Sequence, residues 1–187
     1  EQHGHMEAVG YDLYCKMLNE SVKELKGETR PADAFETMID LDIDAFIPEK
    51  YIRNEYQKLD IYKRIAAIEN QEEYDDMLEE LMDRFGEPPR AVQNLLAIAH
   101  LKAVAHQNYV TELVQKGNYI KFTMYAKTPA DPNKIAAVIG KYNGKLKFVV
   151  EGNPYFLYTK PRVSAKDNAD VLTVVRELLE DIAQTMV

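Results

Sequence analysis

Carboxylates are the side chains whose type and spacing most clearly indicate an interaction in this 187-residue chain. The run from Glu69 to Asp83 contains eight of them and no lysine or arginine. On a helix, Asp76, Glu80 and Asp83 lie four and then three residues apart, so they share one outward face. Like charges at this spacing repel one another by about 0.2–0.5 kcal/mol per pair and therefore cost helix stability.

Two explanations fit this acidic face. It can be a solvated surface that aids solubility, or it can be a docking site for a basic partner. Arginine would suit such a partner best, because its planar fork pairs bidentately with carboxylates.

Other chemistries find little support in the residue types. The chain has neither G-x-x-x-x-G-K-[ST] nor G-x-G-x-x-G, so it should not hydrolyse ATP by itself. Cys15 lies beside core positions of a predicted helix, which favours a small buried hydrophobe over a nucleophile. His3 and His5 offer only two nitrogens, too few for a closed tetrahedral metal site. We expect no catalytic residue, no metal site and no bound cofactor in this chain.

The aspartates of the segment Asp40–Asp44 match the opening of an EF-hand loop. That loop also needs glycine at its sixth position and glutamate at its twelfth. Ala45 and Tyr51 occupy those places. The strict alternation from Ile39 to Ala45 instead predicts a strand with one buried face and one face of solvated carboxylates.

The net charge of −8 is distributed unevenly. The first 100 residues carry 11 basic and 23 acidic side chains, and the last 87 carry 12 and 8. In the basic half, cations alternate with aromatic residues, as in proteins that bind single-stranded nucleic acid by stacking; they are Lys141, Lys145, Lys147, Lys160, Arg162 and Lys166, with Tyr142, Phe148, Tyr155, Phe156 and Tyr158. Strand aromatics are more often core, and the overall charge repels phosphate. A nucleic-acid-binding module nevertheless stays open as the alternative function.

Composition sets the class of protein. A hydrophobic share of 46% with 29% charged residues is typical of a globular domain. No apolar run approaches the roughly 18 residues of a membrane helix, so we expect no membrane partner. A single cysteine agrees with a reducing, cytoplasmic setting. The chain begins at Glu1 without methionine, which suggests a piece of a longer protein.

Helices are predicted for most of the first half. Helical spacing indicates a helix from Glu7 to Lys26. Another is indicated from about Tyr51 to Ile68, and Tyr56 and Leu59 are among the positions of its apolar face. A third ends at Phe85, before a capping glycine, and has a predicted core stripe of Tyr74, Met77, Leu78, Leu81, Met82 and Phe85. A fourth, from Arg90 to His106, is apolar on most sides and should be buried.

Strands dominate the second half. The segments Tyr109–Gln115 and Tyr119–Tyr125 flank a turn and predict a hairpin. A short helix should follow from Pro132 to Tyr142, and then strands at 145–150 and 155–159 and a C-terminal helix from Val171. We predict an α+β fold, with a helix-rich N-terminal half packed with a small, mostly antiparallel sheet and a C-terminal helix.

Several separate motifs, in the same order, resemble the C-terminal (TRCF) domain of the bacterial transcription-repair coupling factors, the Mfd family. They are Gln2-His3-Gly4-His5-Met6-Glu7-Ala8-Val9-Gly10-Tyr11-Asp12-Leu13-Tyr14, Ile39 to Pro48, Leu59-Asp60-Ile61-Tyr62-Lys63-Arg64-Ile65-Ala66 and Glu80-Leu81-Met82-Asp83-Arg84-Phe85-Gly86. The resemblance covers essentially the whole chain and weakens beyond Tyr109. Tyr11 stands where the family would have phenylalanine.

The resemblance implies that the parent protein is an ATP-dependent DNA translocase. Such a protein releases RNA polymerase stalled at DNA lesions and recruits nucleotide excision repair through an N-terminal UvrB-like module that binds UvrA. ATP and Mg would be bound by upstream domains. Residues 1–27 would form a helix leading in from the motor region, and 28–187 a single regulatory domain.

The resemblance also implies a role for the acidic helix. In this family the C-terminal domain docks on the UvrB-like module and masks UvrA binding, which is autoinhibition. Glu80 and Asp83 match the family's acidic contacts to arginine on that module. With their neighbours Asp76, Glu79 and Glu73, they form the predicted partner-binding site.

Overall fold

The computed structural model describes residues 34–161 and 171–187. Within them lie five helices and one five-stranded sheet, so the predicted α+β class is confirmed. In chain order the elements are β1 (Met38–Asp40), α1 (Glu55–Ala66), α2 (Gln71–Phe85), α3 (Arg90–Gln107), β2 (Val110–Lys116), β3 (Tyr119–Met124), α4 (Pro132–Gly140), β4 (Leu146–Val149), β5 (Tyr155–Thr159) and α5 (Val171–Ala183). The helix predicted at 7–26 lies outside the described residues.

The described chain divides into two compact units. Ile43–Ala103 make up the described part of the first unit, which holds α1, α2 and most of α3. The second unit consists of the described residues of Thr29–Asp42 and Val104–Val187, which include the whole sheet. The single domain expected over 28–187 stays a prediction.

Asparagine side chains determine where the helices of the first unit begin. Asn54 Oδ1 accepts a hydrogen bond from the backbone N–H of Gln57 at 3.1 Å, which caps α1. The helix therefore begins at Glu55 rather than near Tyr51, where the N–H of Tyr51 instead closes a turn on the carbonyl of Pro48 at 3.0 Å. Asn70 caps α2 in the same way.

The end of α2 is fixed by a glycine and a tyrosine. Gly86 has φ +84°, a conformation that favours glycine, and its N–H donates to the Met82 carbonyl at 3.1 Å. The hydroxyl of Tyr51 donates to the carbonyls of Leu81 at 3.2 Å and Gly86 at 2.7 Å. The hydroxyl of Tyr51 therefore holds the last turn of α2 against the segment that precedes α1. The core of this unit includes Ile61, Ile65, Met77, Leu81, Val92, Leu95 and Leu96.

The sheet of the second unit has the strand order β1-β2-β3-β5-β4. Only β1 pairs parallel to its neighbour, and the other three pairings are antiparallel, as predicted. The predicted hairpin is confirmed: Lys116 pairs with Tyr119 across a two-residue loop. Gly117 has φ +59° at the first loop position, which a type II′ turn requires.

The strand predicted from Ile39 to Ala45 is shorter in the structure. Its burial alternates as expected, with Ile39, Leu41 and Ala45 buried. Its backbone, however, pairs only over Met38–Asp40, opposite residues 112–114 of β2. Beyond the strand, the N–H of Asp42 donates to the side-chain oxygen of Gln115 at 2.9 Å rather than to a backbone carbonyl. Burial thus alternates beyond the hydrogen-bonded strand.

The remaining helices match their predictions closely. α4 begins at Pro132 behind the N-cap Asp131, and it ends at Gly140, two residues before the predicted Tyr142. α5 buries the predicted apolar stripe at Val175, Leu178, Leu179 and Ile182. The fully buried side chains of the second unit also include Leu113, Ile120, Phe122 and Phe156.

The cap of α2 can be tested by substitution. Asn70→Ala should lower the free energy of unfolding by about 1 kcal/mol, because the Glu73 N–H loses its acceptor. Urea denaturation followed by circular dichroism measures this change. Asn70→Asp keeps a side-chain oxygen and should unfold like the parent chain. Equal losses in both variants would contradict the proposed cap.

Candidate docking site

The five predicted partner-binding residues lie together on one face of α2. At 3.6 residues per turn, Glu73, Asp76, Glu79, Glu80 and Asp83 fall within a sector of about 120°. Met77 and Leu81 are buried on another side of the same helix. These five carboxylates, the acidic face, therefore form a contiguous surface of the first unit.

Glu80 lies near one margin of the acidic face and is held by two arginines. Arg64 of α1 binds its carboxylate through two hydrogen bonds. Nη2 donates to Oε1 at 2.6 Å, and Nη1 donates to Oε2. Arg84, four residues further along α2, donates to Oε2 at 2.9 Å. The Glu80 side chain keeps 32% of its surface exposed. Glu80 thus connects α2 to α1.

These arginines also change the acidity of Glu80. The hydrogen bonds from Arg64, and to a lesser degree from Arg84, lower the pKa of this carboxyl from 4.5 to about 2. The same pairing raises the pKa of the Arg64 guanidinium. Glu80 is therefore a carboxylate throughout the physiological range.

Glu73, at the N-terminal end of the acidic face, helps to start the helix. Its Oε2 accepts a hydrogen bond from the backbone N–H of Glu69 at 2.8 Å, while its own N–H donates to Asn70. This reciprocal arrangement is a form of the capping box. A carboxylate in the first turn is also stabilised by the positive end of the helix dipole.

Asp76, Glu79 and Asp83 form the open part of the acidic face. All three are exposed. Their side chains make no hydrogen bond or ion pair with any residue of 34–161 or 171–187. Asp83 also lies in the last turn of α2, where the negative end of the helix dipole disfavours a carboxylate. A cation bound here would relieve repulsion without breaking an internal pair.

Three large apolar side chains of the same unit are exposed, contrary to prediction. Met82, expected in the core stripe, is 52% exposed at the edge of that stripe. Tyr56 and Leu59 of α1 were placed on an apolar face and are 85% and 37% exposed. Tyrosine is enriched among the residues that contribute most to binding at interfaces. The sequence pattern missed these exposures because helical spacing does not show how wide the buried stripe will be.

In the basic half, two of the five aromatic residues proposed for nucleic-acid stacking are buried, and the other three are partly exposed. Phe156 and Tyr158 are 1% and 8% exposed, and Phe148 packs on Phe156 with ring centroids 4.7 Å apart. Successive strand residues point to opposite faces, so Lys147 lies on the other face from Phe148. An accessible cation beside an aromatic ring occurs where Lys121 Nζ lies 4.3 Å from the ring centroid of Tyr155.

The described residues contain no group of three or more His, Cys, Asp or Glu placed to hold a metal ion. No helix among them is both long and apolar enough to cross a membrane.

Comparisons with known proteins identify a family model and relatives that are similar to this chain. The sequence model of the TRCF domain matches residues 41–135, which include α1, α2 and α3. The chain is 34% identical over 97% of its length to the transcription-repair-coupling factor of Bacillus subtilis (strain 168). It is 38% identical over 71% of its length to that of Staphylococcus haemolyticus (strain JCSC1435). The chain spans only 16% and 12% of the lengths of these two relatives.

A solved structure is also similar. It is described as "Crystal structure of C-terminal domain of transcription-repair coupling factor". It shares 27% sequence identity with this chain at a TM-score of 0.64. The match covers 80% of this chain and 94% of that one. Sequence and fold comparisons therefore agree.

The ion pair of Glu80 predicts a pH dependence. Because its pKa is lower in the folded than in the unfolded chain, its contribution to stability is complete above about pH 4.5 and is lost as the pH falls towards 2. Arg64→Gln should raise the pKa of Glu80, and Arg84→Gln should raise it less, because Arg64 is the stronger cause. Carboxyl ¹³C chemical shifts measured against pH report both values. An unchanged pKa in the Arg64 variant would contradict the pairing.

Proposed function

Because the chain belongs to the TRCF domain family, we propose that it is a non-catalytic regulatory domain that docks through the acidic face of α2. The partner is a basic surface on the UvrB-like N-terminal module of the parent protein. Docking masks the UvrA-binding surface of that module and holds the parent in an autoinhibited state.

One observation carries this proposal. Asp76, Glu79 and Asp83 are exposed and have no ionic partner among the described residues. At spacings of three and four residues they repel one another, and Asp83 is further disfavoured by the helix dipole. Arginines on a partner would offset these costs with bidentate hydrogen bonds.

The strength of such contacts suits a reversible lock. An exposed ion pair contributes only about 0.2–1 kcal/mol. A partner tethered in the same protein has an effective concentration in roughly the millimolar range, so weak contacts can hold a closed state. A coupling free energy of about 1–3 kcal/mol is enough for regulation.

The proposal extends to the parent protein. The relatives are transcription-repair coupling factors by name. We propose a cytoplasmic, ATP-dependent DNA translocase that releases stalled RNA polymerase at lesions and recruits nucleotide excision repair. Its ATP and Mg sites lie in upstream domains, outside this chain.

Charge reversal within the open part of the acidic face tests the docking. Asp76→Arg with Asp83→Arg should weaken binding of this chain to the isolated UvrB-like module by about tenfold or more, because attraction becomes repulsion at two contacts. In the full-length parent the same change should increase UvrA binding. Calorimetry measures the first effect, and pull-down with purified UvrA measures the second.

Two further double variants serve as comparisons for this test. Glu49→Arg with Glu151→Arg changes the net charge equally at exposed positions outside α2 and should leave binding unchanged. Glu80→Arg with Asp83→Arg should also unmask UvrA, but it places a third arginine beside Arg64 and Arg84 and disturbs α1 as well. If UvrA binding stays masked in a folded Asp76 and Asp83 variant, the acidic face is not the docking site.

A further inference from the structure

The strand β4 forms one edge of the sheet. It pairs only with β5 and stands last in the strand order. An edge strand presents a row of backbone groups to which another extended chain can add. The strand lies wholly in the second unit, whereas the acidic face belongs to the first.

The outward backbone groups of this edge can be assigned from the register. The N–H of Thr159 donates to the carbonyl of Lys145 at 2.9 Å. In an antiparallel pair, hydrogen-bonded and non-hydrogen-bonded positions alternate. Leu146 and Phe148 therefore direct their N–H and C=O groups away from β5, and Val150 follows at the next such position, just beyond the end of β4. Leu146 is only 1% exposed, so the accessible positions of the edge are Phe148 and Val150. No described residue forms a hydrogen bond with the backbone groups of these two residues.

An apolar cavity of about 170 Å³ opens beside the same edge. Its lining includes Phe148 and Val150 of the edge and Pro154, Phe156 and Ile135. Val150 is 74% exposed. Apolar cavities of about 150 Å³ accept a ligand as large as benzene, so this one can take one large apolar side chain.

The opposite side of the edge is basic. Lys145 and Lys147 alternate with Leu146 and Phe148, so their side chains project from the other face of the sheet. Both lysines are exposed, and neither forms an ion pair with a described residue. A second copy of β4 placed here would bring lysine next to lysine, which is unfavourable. The charge selects an acidic strand.

We propose that the β4 edge, Lys145–Val150, binds an extended peptide segment with alternating apolar and acidic side chains. The segment adds to the sheet through the backbone of Phe148 and Val150. One of its apolar side chains enters the cavity, and its carboxylates lie beside Lys145 and Lys147. This assigns the basic half of the chain a role in binding protein rather than nucleic acid.

A designed peptide tests this site. The probe is acetyl-Glu-Leu-Glu-Phe-Glu-Leu-Glu-amide, titrated into the ¹⁵N-labelled 187-residue chain, and the control is the same peptide with lysine for glutamate. The acidic peptide should shift the amide resonances of Phe148 and Val150 and slow their hydrogen exchange. The lysine peptide should do neither. Lys145→Glu with Lys147→Glu should weaken binding of the acidic peptide by about tenfold.

Several results would overturn the proposal. Absence of shifts at millimolar acidic peptide, or equal shifts with the lysine peptide, would exclude an acidic strand at this edge. Slow exchange of these amides in the dilute free chain would mean that the chain covers its own edge. Protection that rises with protein concentration would identify a second copy as the occupant. Stronger shifts from a single-stranded oligonucleotide would favour nucleic acid.

Discussion

The contact between the guanidinium of Arg64 and the carboxylate of Glu80 is the constraint on which the arrangement of the acidic face depends. Two parallel N–H···O bonds fix direction as well as distance, which a single-point contact does not. They connect α1 to α2 at the margin of a helix surface that otherwise carries one sign of charge. Because Arg84 binds the same carboxylate, that margin is neutralised and the charge that remains is concentrated on the side of Asp76, Glu79 and Asp83.

This arrangement divides one helix surface into two functions. Glu73 and Glu80 serve the fold, the first at the start of α2 and the second at its contact with α1. Asp76 and Asp83 have no such internal use among the described residues. A row of carboxylates that is uniform in the sequence is therefore heterogeneous in the structure, and only part of it can accept a partner without competition from the domain's own arginines.

Local signals in the sequence were sufficient for most of the fold. The glycine cap of α2 and the hairpin at Gly117 depend on residues close together in the chain, and both are present in the structure. Features that depend on residues distant in the sequence were harder to predict from local patterns. Just beyond the end of β1, the N–H of Asp42 donates to the side chain of Gln115, which is more than seventy residues away. The exposure of Tyr56 and Met82 depends on what packs beside their helices.

The same distinction applies to the acidic face. Arg84 lies four residues after Glu80, so helix geometry alone could have identified that pair. Arg64 lies on a different helix, sixteen residues before Glu80, and no periodicity connects the two positions. Sequence patterns could therefore locate the acidic face but could not show that one of its members is already bound.

The parallel pairing of β1 with β2 has a consequence for how the chain acquires its structure. Thr37 and Val110, whose hydrogen bond lies beside this pairing, are 73 residues apart, and the first unit occupies most of the intervening sequence. During synthesis β1 emerges long before the strand on which it must pair. Bringing such distant segments together costs chain entropy that grows with the logarithm of their separation. Compaction of the intervening helices would shorten the effective loop, so maturation of the sheet is expected to depend on the order in which the two units fold.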